Sequence, residues 1–246
     1  KTMRQFIKRI FVIFPFEEAF YKEHGIPVSF IGHPVVEKNF NLPERSLFFK
    51  QHGLDEKRTL IALLPGSRRN EMERHAQPVL DAINLLNAQF PSLQFVMAGL
   101  TSLSESYYEP YVSIENLLII KDDPYPLIAH SDVAIVASGT ATLETAFLGT
   151  PMVVIYKIAA LSYLIGKLLV DIDHLAMPNL ILGERAVPEL IQGDATGQKI
   201  YDAVTILLTD ETVRTAMLSK LNTLKTALGE PGCAELIANQ ILSDLD

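Results

Sequence analysis

The sequence predicts an α/β protein built on a parallel sheet with helices on both faces. Three observations predict it. Short apolar runs recur through the first two thirds of the chain, among them Thr59–Leu64, Gln94–Gly99, Leu117–Ile120, Asp132–Ala137 and Met152–Tyr156. They are continuously apolar rather than alternating, as strands covered on both faces are. Helical stretches separate them, and two of the strands run directly into glycine turns that open a helix, Pro65-Gly66-Ser67-Arg68 and Ser138-Gly139-Thr140.

Taken in order, Phe11–Phe16 reads as a strand, Glu17–His24 as a short helix closed by Gly25, and Val28–Gly32 as a second strand ending in Gly32-His33-Pro34. A polar, proline-containing stretch to about Arg58 reads as a linker and lead-in, with one helix, Arg45–His52, stopped by Gly53. The strand at Thr59 leads to a helix starting near Glu71, and Val79, Ala82, Ile83 and Leu86 repeat at helical spacing between Pro78 and Phe90. Tyr125–His130 is a short helix. After the strand at Asp132 comes a helix on which Leu143, Ala146 and Phe147 share a face, ended by Gly149 and Pro151. Beyond Lys157 the strands nearly stop. A helix at Ala159–Val170, a loop at His174–Leu180 and helices at Thr196–Leu208, Glu211–Leu228 and Cys233–Leu245 are expected there.

A chain of 246 residues, 48% of them hydrophobic, suffices for one large domain or one and a half small ones. A net charge of −8 argues against a general basic surface, so no nucleic-acid partner is expected. The single Cys233 excludes an intramolecular disulfide and suits a reducing compartment. No signal-peptide pattern is read, and the most apolar helical stretch, Ile158–Val170, carries Lys167 and is too short to span a bilayer. The six histidines lie far apart without metal-ligand spacing, so no metal site is expected. There is no Gly-x-Ser-x-Gly elbow and no phosphate loop with its lysine. The chain opens on a lysine in the middle of a pattern, and an N-terminal portion is expected to precede it.

The turn at Ser138, Gly139 and Thr140 joins a strand to a helix N-terminus, where backbone N–H groups and the helix dipole favour an anion such as a diphosphate. Glu144 follows about one turn into the helix, where a carboxylate reaches two neighbouring hydroxyls, as on a ribose. A plain strand–helix turn with a solvated Glu144 fits that stretch equally well. Gly66, Ser67 and Arg68 form a second such turn, and ligands in open parallel sheets sit at the C-terminal ends of strands. Arg68 adds a planar donor fork suited to phosphate, whereas Arg69 reads as a surface residue. Asn179, after Pro178, reads by itself as a loop-capping residue. His33 reads as structural, beside an interdomain hinge; Glu17 reads as a first-turn helix charge, with the cleft as its alternative.

Together these stretches resemble one family, lipid-A-disaccharide synthase, a glycosyltransferase of the two-domain GT-B type. The resemblance is carried by Phe14-Pro-Phe-Glu17 with Phe20-Tyr21, Phe30-Ile-Gly-His-Pro34, Leu63-Leu-Pro-Gly-Ser-Arg68 with Glu71, Ala137-Ser-Gly-Thr-Ala-Thr-Leu-Glu144, Pro151-Met-Val-Val with Tyr156-Lys157, and Leu175-Ala-Met-Pro-Asn-Leu180. They occur in the family's order over most of the chain. The resemblance implies a Rossmann-like donor-binding domain over 35–232, preceded at 1–34 by the tail of an acceptor-side domain and followed at 233–246 by a helix packing back toward that domain. It implies transfer of 2,3-diacylglucosamine from its UDP derivative to the 6-hydroxyl of 2,3-diacylglucosamine 1-phosphate, with inversion, release of UDP, and neither metal nor cofactor.

By the same resemblance Arg68 stabilises the leaving group, while Gly66, Ser67, Ser138, Gly139, Thr140, Tyr156 and Asn179 line the donor site. Glu144 holds the uridine ribose, and His33 and Glu17 are candidate cleft residues. The family's glycine-rich opening and catalytic base belong to an N-terminal half with no counterpart here. The implied partners are the acylated donor and acceptor, and the implied location is cytoplasmic, peripheral to the inner face of the cytoplasmic membrane in a Gram-negative-type bacterium, with a homodimer left open. Ala159–Val170 and Phe48-Phe49 are the lipid-contact candidates, although a buried helix face and a packed aromatic pair are the expectation. Other readings are a UDP-sugar enzyme of the same fold, of the peptidoglycan N-acetylglucosaminyltransferase or UDP-N-acetylglucosamine 2-epimerase type, and a nucleotide-sugar-binding module without catalysis.

Overall fold

A computed structural model describes residues 6–158 and 174–245. The chain divides into two compact units, residues 1–39 with 222–246, and residues 40–221. The expected helix at Ala159–Val170 lies outside the described residues.

In the first unit, β1 (Ile10–Val12) and β2 (Val28–Phe30) pair in parallel, Ile10 opposite Val28 and Val12 opposite Phe30. Helix α1 (Pro15–Glu23) connects them. The strand expected to reach Phe16 stops at Val12, because Pro15 takes the first helical turn, where its missing N–H costs nothing. Glu17 lies in that turn and accepts the Phe14 N–H at 3.2 Å.

The second unit opens with α2 (Arg45–His52), closed by Gly53 in the left-handed conformation at φ 67°. The segment is not a linker. Phe40 is buried, and Phe48 and Phe49 pack edge to face at 6.0 Å with Phe49 wholly inaccessible. Then follow β3 (Leu60–Leu64), α3 (Arg69–Gln89), β4 (Gln94–Ala98), α4 (Glu109–Val112), β5 (Leu117–Ile120), α5 (Pro124–His130), β6 (Val133–Ala137), α6 (Thr140–Leu148) and β7 (Met152–Tyr156). After the undescribed stretch come α7 (Met177–Leu182), β8 (Glu189–Ile191), α8 (Gly197–Thr209) and α9 (Glu211–Ala227), whose residues from Asn222 onward belong to the first unit. Helix α10 (Cys233–Leu245) belongs to the first unit.

The main sheet has six parallel strands in the order β5-β4-β3-β6-β7-β8. Ile61 pairs with Phe95 on one side and with Val133 on the other. Every residue of β3 and β6 is buried, as the unbroken apolar runs require. Helices cover both faces. The connections run outward from the centre in opposite directions, so right-handed crossovers place α3 and α6 on opposite faces. Helix α8 packs against α3 and against β6 and β7.

One expectation fails here. The stretch His174–Leu180, read as a loop, enters α7 at Met177, with Pro178 in the first turn, while beyond Lys157 the described residues hold one short strand, β8, paired with β7. Helix α3 also runs unbroken through Pro78. Proline inside a helix costs about 3 kcal/mol. The stripe Met72, His75, Val79, Ala82, Ile83 and Leu86 is buried, and each large apolar member contributes about 1.5–3 kcal/mol, so burial outweighs the break.

Candidate functional site

The strand order reverses between β3 and β6, the position where open parallel sheets form a crevice beyond their C-terminal edge. Both predicted glycine turns are there. A cleft of about 370 Å³ is lined by Gly66, Ser67 and Arg68 after β3 and by Ser138, Gly139 and Thr140 after β6, with Glu71, Asp122 and Glu144 on its walls.

The two turns differ. The β3 turn is closed by its own helix: the Glu71 carboxylate accepts the Ser67 N–H at 2.9 Å and the Arg68 N–H at 3.3 Å. Gly66 makes this possible. At φ 136° it adopts a backbone that L-residues avoid, and a Cβ there would stand 2.5 Å from the Glu71 Cβ. Arg68 reaches Glu71 at 3.5 Å, but its side chain is 83% exposed. Such a surface pair is weakly held, so Arg68 can turn to another anion at little cost.

The β6 turn is open. Gly139, at φ 153°, stands at the N-cap of α6, and no side chain caps this helix. The first N–H groups of α6 have no acceptor within the helix, and Gly139 and Thr140 are exposed. The arrangement is an uncapped helix N-terminus facing a cleft, with an arginine on the facing turn. It can take an anion without moving the backbone. Ser138 is fixed at the strand end, its N–H donating to the Ile155 carbonyl at 2.9 Å and its hydroxyl to the Leu175 carbonyl at 3.2 Å.

Glu144 stands on the first full turn of α6 and lines the cleft, accepting the Tyr125 hydroxyl at 2.7 Å. Asn179 is placed elsewhere. It is wholly buried and fully engaged: its amide donates to the Val187 carbonyl at 2.9 Å and to Glu189 at 2.6 Å, and its oxygen accepts the Ala186 and Val187 N–H groups at 2.7 and 2.8 Å. This is the loop-capping role that the residue's chemistry favours, not a place on the cleft wall. Tyr156, at the end of β7, is also absent from the lining of this cleft. Glu17 and His33 lie in the other unit. The His33 ring packs on Phe14 at 5.1 Å, and its Nδ1 accepts the Val35 N–H at 3.0 Å. Among the described residues no group of three or more His, Cys, Asp or Glu is placed to hold a metal ion.

Three supporting residues escaped the sequence reading. Glu189 accepts the Leu175 and Ala176 N–H groups at 3.0 and 3.2 Å as well as the Asn179 amide, and so holds the loop whose carbonyl receives Ser138. His75 is fully buried. It accepts the Lys157 N–H at Nε2, 3.0 Å, which leaves its proton on Nδ1 to donate to the Pro65 carbonyl at 2.6 Å. Burial lowers its pKa from the usual histidine value, so the neutral ring clamps the base of the β3 turn to the end of β7. Tyr125 is the third. The available signal was topological, because parallel strands all end on one side and the loop after β5, Lys121–Pro124, therefore borders the same cleft.

Fold and cleft together define a doubly wound α/β protein with a cleft between two glycine turns at its switch point. Solved structures share the fold at low identity. A UDP-GlcNAc 2-epimerase from Neisseria meningitidis bound to UDP-GlcNAc matches at a TM-score of 0.68 and 16% identity, over 96% of this chain and 62% of that one. The S. aureus MnaA–UDP co-structure matches at 0.69 and 16%, over 97% and 60%. The calicheamicin glycosyltransferase CalG4 matches at 0.60 and 17%, over 97% and 54%.

The sequence is more specific than the fold: the profile of the lipid-A-disaccharide synthetase family matches residues 1–238, and the chain belongs to that family. Lipid-A-disaccharide synthase of Syntrophus aciditrophicus (strain SB) is 38% identical over 99% of the chain, and that of Geobacter metallireducens (strain ATCC 53774 / DSM 7210 / GS-15) is 36% identical over 100%. The chain spans 64% of the length of these curated relatives.

Proposed function

We propose that the chain is the donor-binding part of a lipid-A-disaccharide synthase. It would bind UDP-2,3-diacylglucosamine in the cleft between the β3 and β6 turns, for transfer to 2,3-diacylglucosamine 1-phosphate with release of UDP and formation of a β-1,6 bond. The observation that carries the reading is the uncapped N-terminus of α6 opposite Arg68, at the sheet's switch point. Charge develops on the diphosphate as the sugar departs. Preorganised N–H groups of Gly139, Thr140 and Ala141 and the mobile guanidinium of Arg68 are donors suited to that charge. Gly66 and Ser67 shape the facing wall, and Glu144 takes the ribose hydroxyls. The catalytic base belongs, on this reading, to the family's N-terminal half. The segment 1–34 is the tail of that acceptor-side domain, 35–232 the donor domain, and 233–246 the helix that packs back toward the acceptor side.

Family membership and relatives matching along the whole chain support this reading over an epimerase, whose likeness extends to fold alone. No helix among the described residues is long and apolar enough to cross a membrane. Acylated substrates would then bring the protein to the inner face of the cytoplasmic membrane from one side, as a peripheral protein. Calorimetric titration with UDP, first without metal and then with Mg²⁺, tests the site. Arg68→Ala and Glu144→Ala are each expected to weaken binding about tenfold or more, the worth of a hydrogen bond to a charged group, with no requirement for Mg²⁺. Unchanged affinity in both variants would remove the donor site from this cleft.

A further inference from the structure

We infer that Tyr125 is a positioning residue for Glu144, and that the Tyr125–Glu144 pair sets the preference of the cleft for ribose over deoxyribose. The inference rests on the donor-site reading above and adds to it a residue and a specificity.

Tyr125 is held from several sides. It stands in the first turn of α5, where the Asp123 carboxylate accepts its backbone N–H at 3.1 Å. Its ring lies edge-on to Phe40 at 4.9 Å, and Phe40 stacks on Phe147 at 5.7 Å. Phe147 is on α6, three residues beyond Glu144 and on the same side of the helix. An aromatic platform therefore ties α5 to the helix that carries the carboxylate. The Tyr125 hydroxyl then donates to Glu144 Oε1 at 2.7 Å.

The direction of that bond follows from the groups. An ionised carboxylate only accepts, so the phenol is the donor. A carboxylate has about four acceptor sites, so it can hold the Tyr125 hydroxyl and two vicinal hydroxyls together. Glutamate has three side-chain torsions. Fixing one oxygen from outside the helix orders the other before the ligand arrives, which removes part of the entropic cost of binding. The benefit is specific to a ligand that presents hydroxyls to Glu144. A nucleotide lacking them gains nothing from the ordering.

The test uses the whole chain and two probes, UDP and 2′,3′-dideoxy-UDP, titrated calorimetrically into wild type, Tyr125→Phe, Glu144→Gln and the double variant. Phenylalanine keeps the ring and its packing on Phe40, and melting temperature confirms folding. Tyr125→Phe is expected to weaken UDP binding by about three- to tenfold, the ordering cost of one rotamer-rich side chain. Dideoxy-UDP binding stays unchanged, and the substitution adds nothing in the Glu144→Gln background. Equal loss for both probes would reduce Tyr125 to a structural residue and overturn the inference. So would an unchanged UDP affinity, or losses that add to those of Glu144→Gln. If Glu144→Gln itself leaves UDP affinity intact, the ribose role given to Glu144 in the donor-site reading falls and the inference with it. If Glu144→Gln weakens UDP while Tyr125→Phe does not, only the role of Tyr125 is lost.

Discussion

Asn179 shows how one buried side chain can serve a site without touching it. Its four hydrogen bonds gather the Ala186–Val187 backbone and Glu189, and Glu189 in turn holds Leu175 and Ala176. Asn179→Ala would strand two buried N–H groups, a carbonyl and part of a carboxylate, at about 1–3 kcal/mol for each unsatisfied group. A loss of about 3–5 kcal/mol of stability in urea denaturation is expected, near the upper end for single substitutions. Asn179→Asp should not rescue it, because a second carboxylate would then face Glu189. The two cleft glycines separate strain from collision. Gly66→Ala meets both, with the Glu71 Cβ at 2.5 Å, whereas a Cβ on Gly139 meets nothing within 4 Å. Gly139→Ala should therefore cost only backbone strain, about 1–3 kcal/mol, and Gly66→Ala distinctly more. Comparable losses would mean that the β3 turn can relax around Glu71.

At the scale of elements, α3 carries a titrating clamp. His75 is held neutral, with its pKa below the ordinary imidazole value of about 6.5. As pH falls through that range the unfolded chain binds a proton that the folded chain refuses. The contribution of His75 is complete above about pH 6.5 and is lost below it, at up to about 1.4 kcal/mol per pH unit. Urea midpoints measured from pH 7.5 to 5 should fall more steeply for wild type than for His75→Gln, although the variant is less stable throughout. Parallel slopes would show that the ring is protonated in the fold. Elements were legible where period and length agreed: β7 and the helices at Arg45–His52 and Cys233–Leu245 begin and end where the sequence places them. They were obscure where tertiary contact overrides local preference. Pro78 inside α3 is tolerated because a buried stripe runs past it, and the three-residue β8 has too few side chains to show a period. The glycine turns could be read from sequence, but the plugging of one of them by Glu71 could not, since a glutamate three residues into a helix reads equally as solvated.

At the scale of the whole molecule, the N-terminal segment and the C-terminal helix close on each other. Glu37 accepts the N–H groups of Gly232 and Cys233, at 2.6 and 2.5 Å, from 195 and 196 residues away. Its hydrogen bond with the Cys233 thiol is the first cause of a lowered Glu37 pKa, and that bond raises the pKa of the thiol. Helix α10 is thus capped by a carboxylate from the other end of the chain. Glu37→Gln should speed hydrogen exchange across 233–245 and alkylation of Cys233, leaving the amides of β3 and β6 unchanged; no change in either rate would make the cap incidental. No local pattern in the sequence announces this pair. The sheet order has its own long-range consequence, and it falls during synthesis. Strand β3 finds β4 soon after it is made, but its other edge waits for β6, and the Leu60 N–H waits for the Asp132 carboxylate. Those partners are 72 residues apart, so at ribosomal rates of about 5–20 residues per second the edge stays open for roughly 4–14 s. Every residue of that edge is apolar, with no charge to discourage pairing with another chain. The reversal of strand order that opens the cleft thus leaves the strand beside it exposed while the ribosome is still at work.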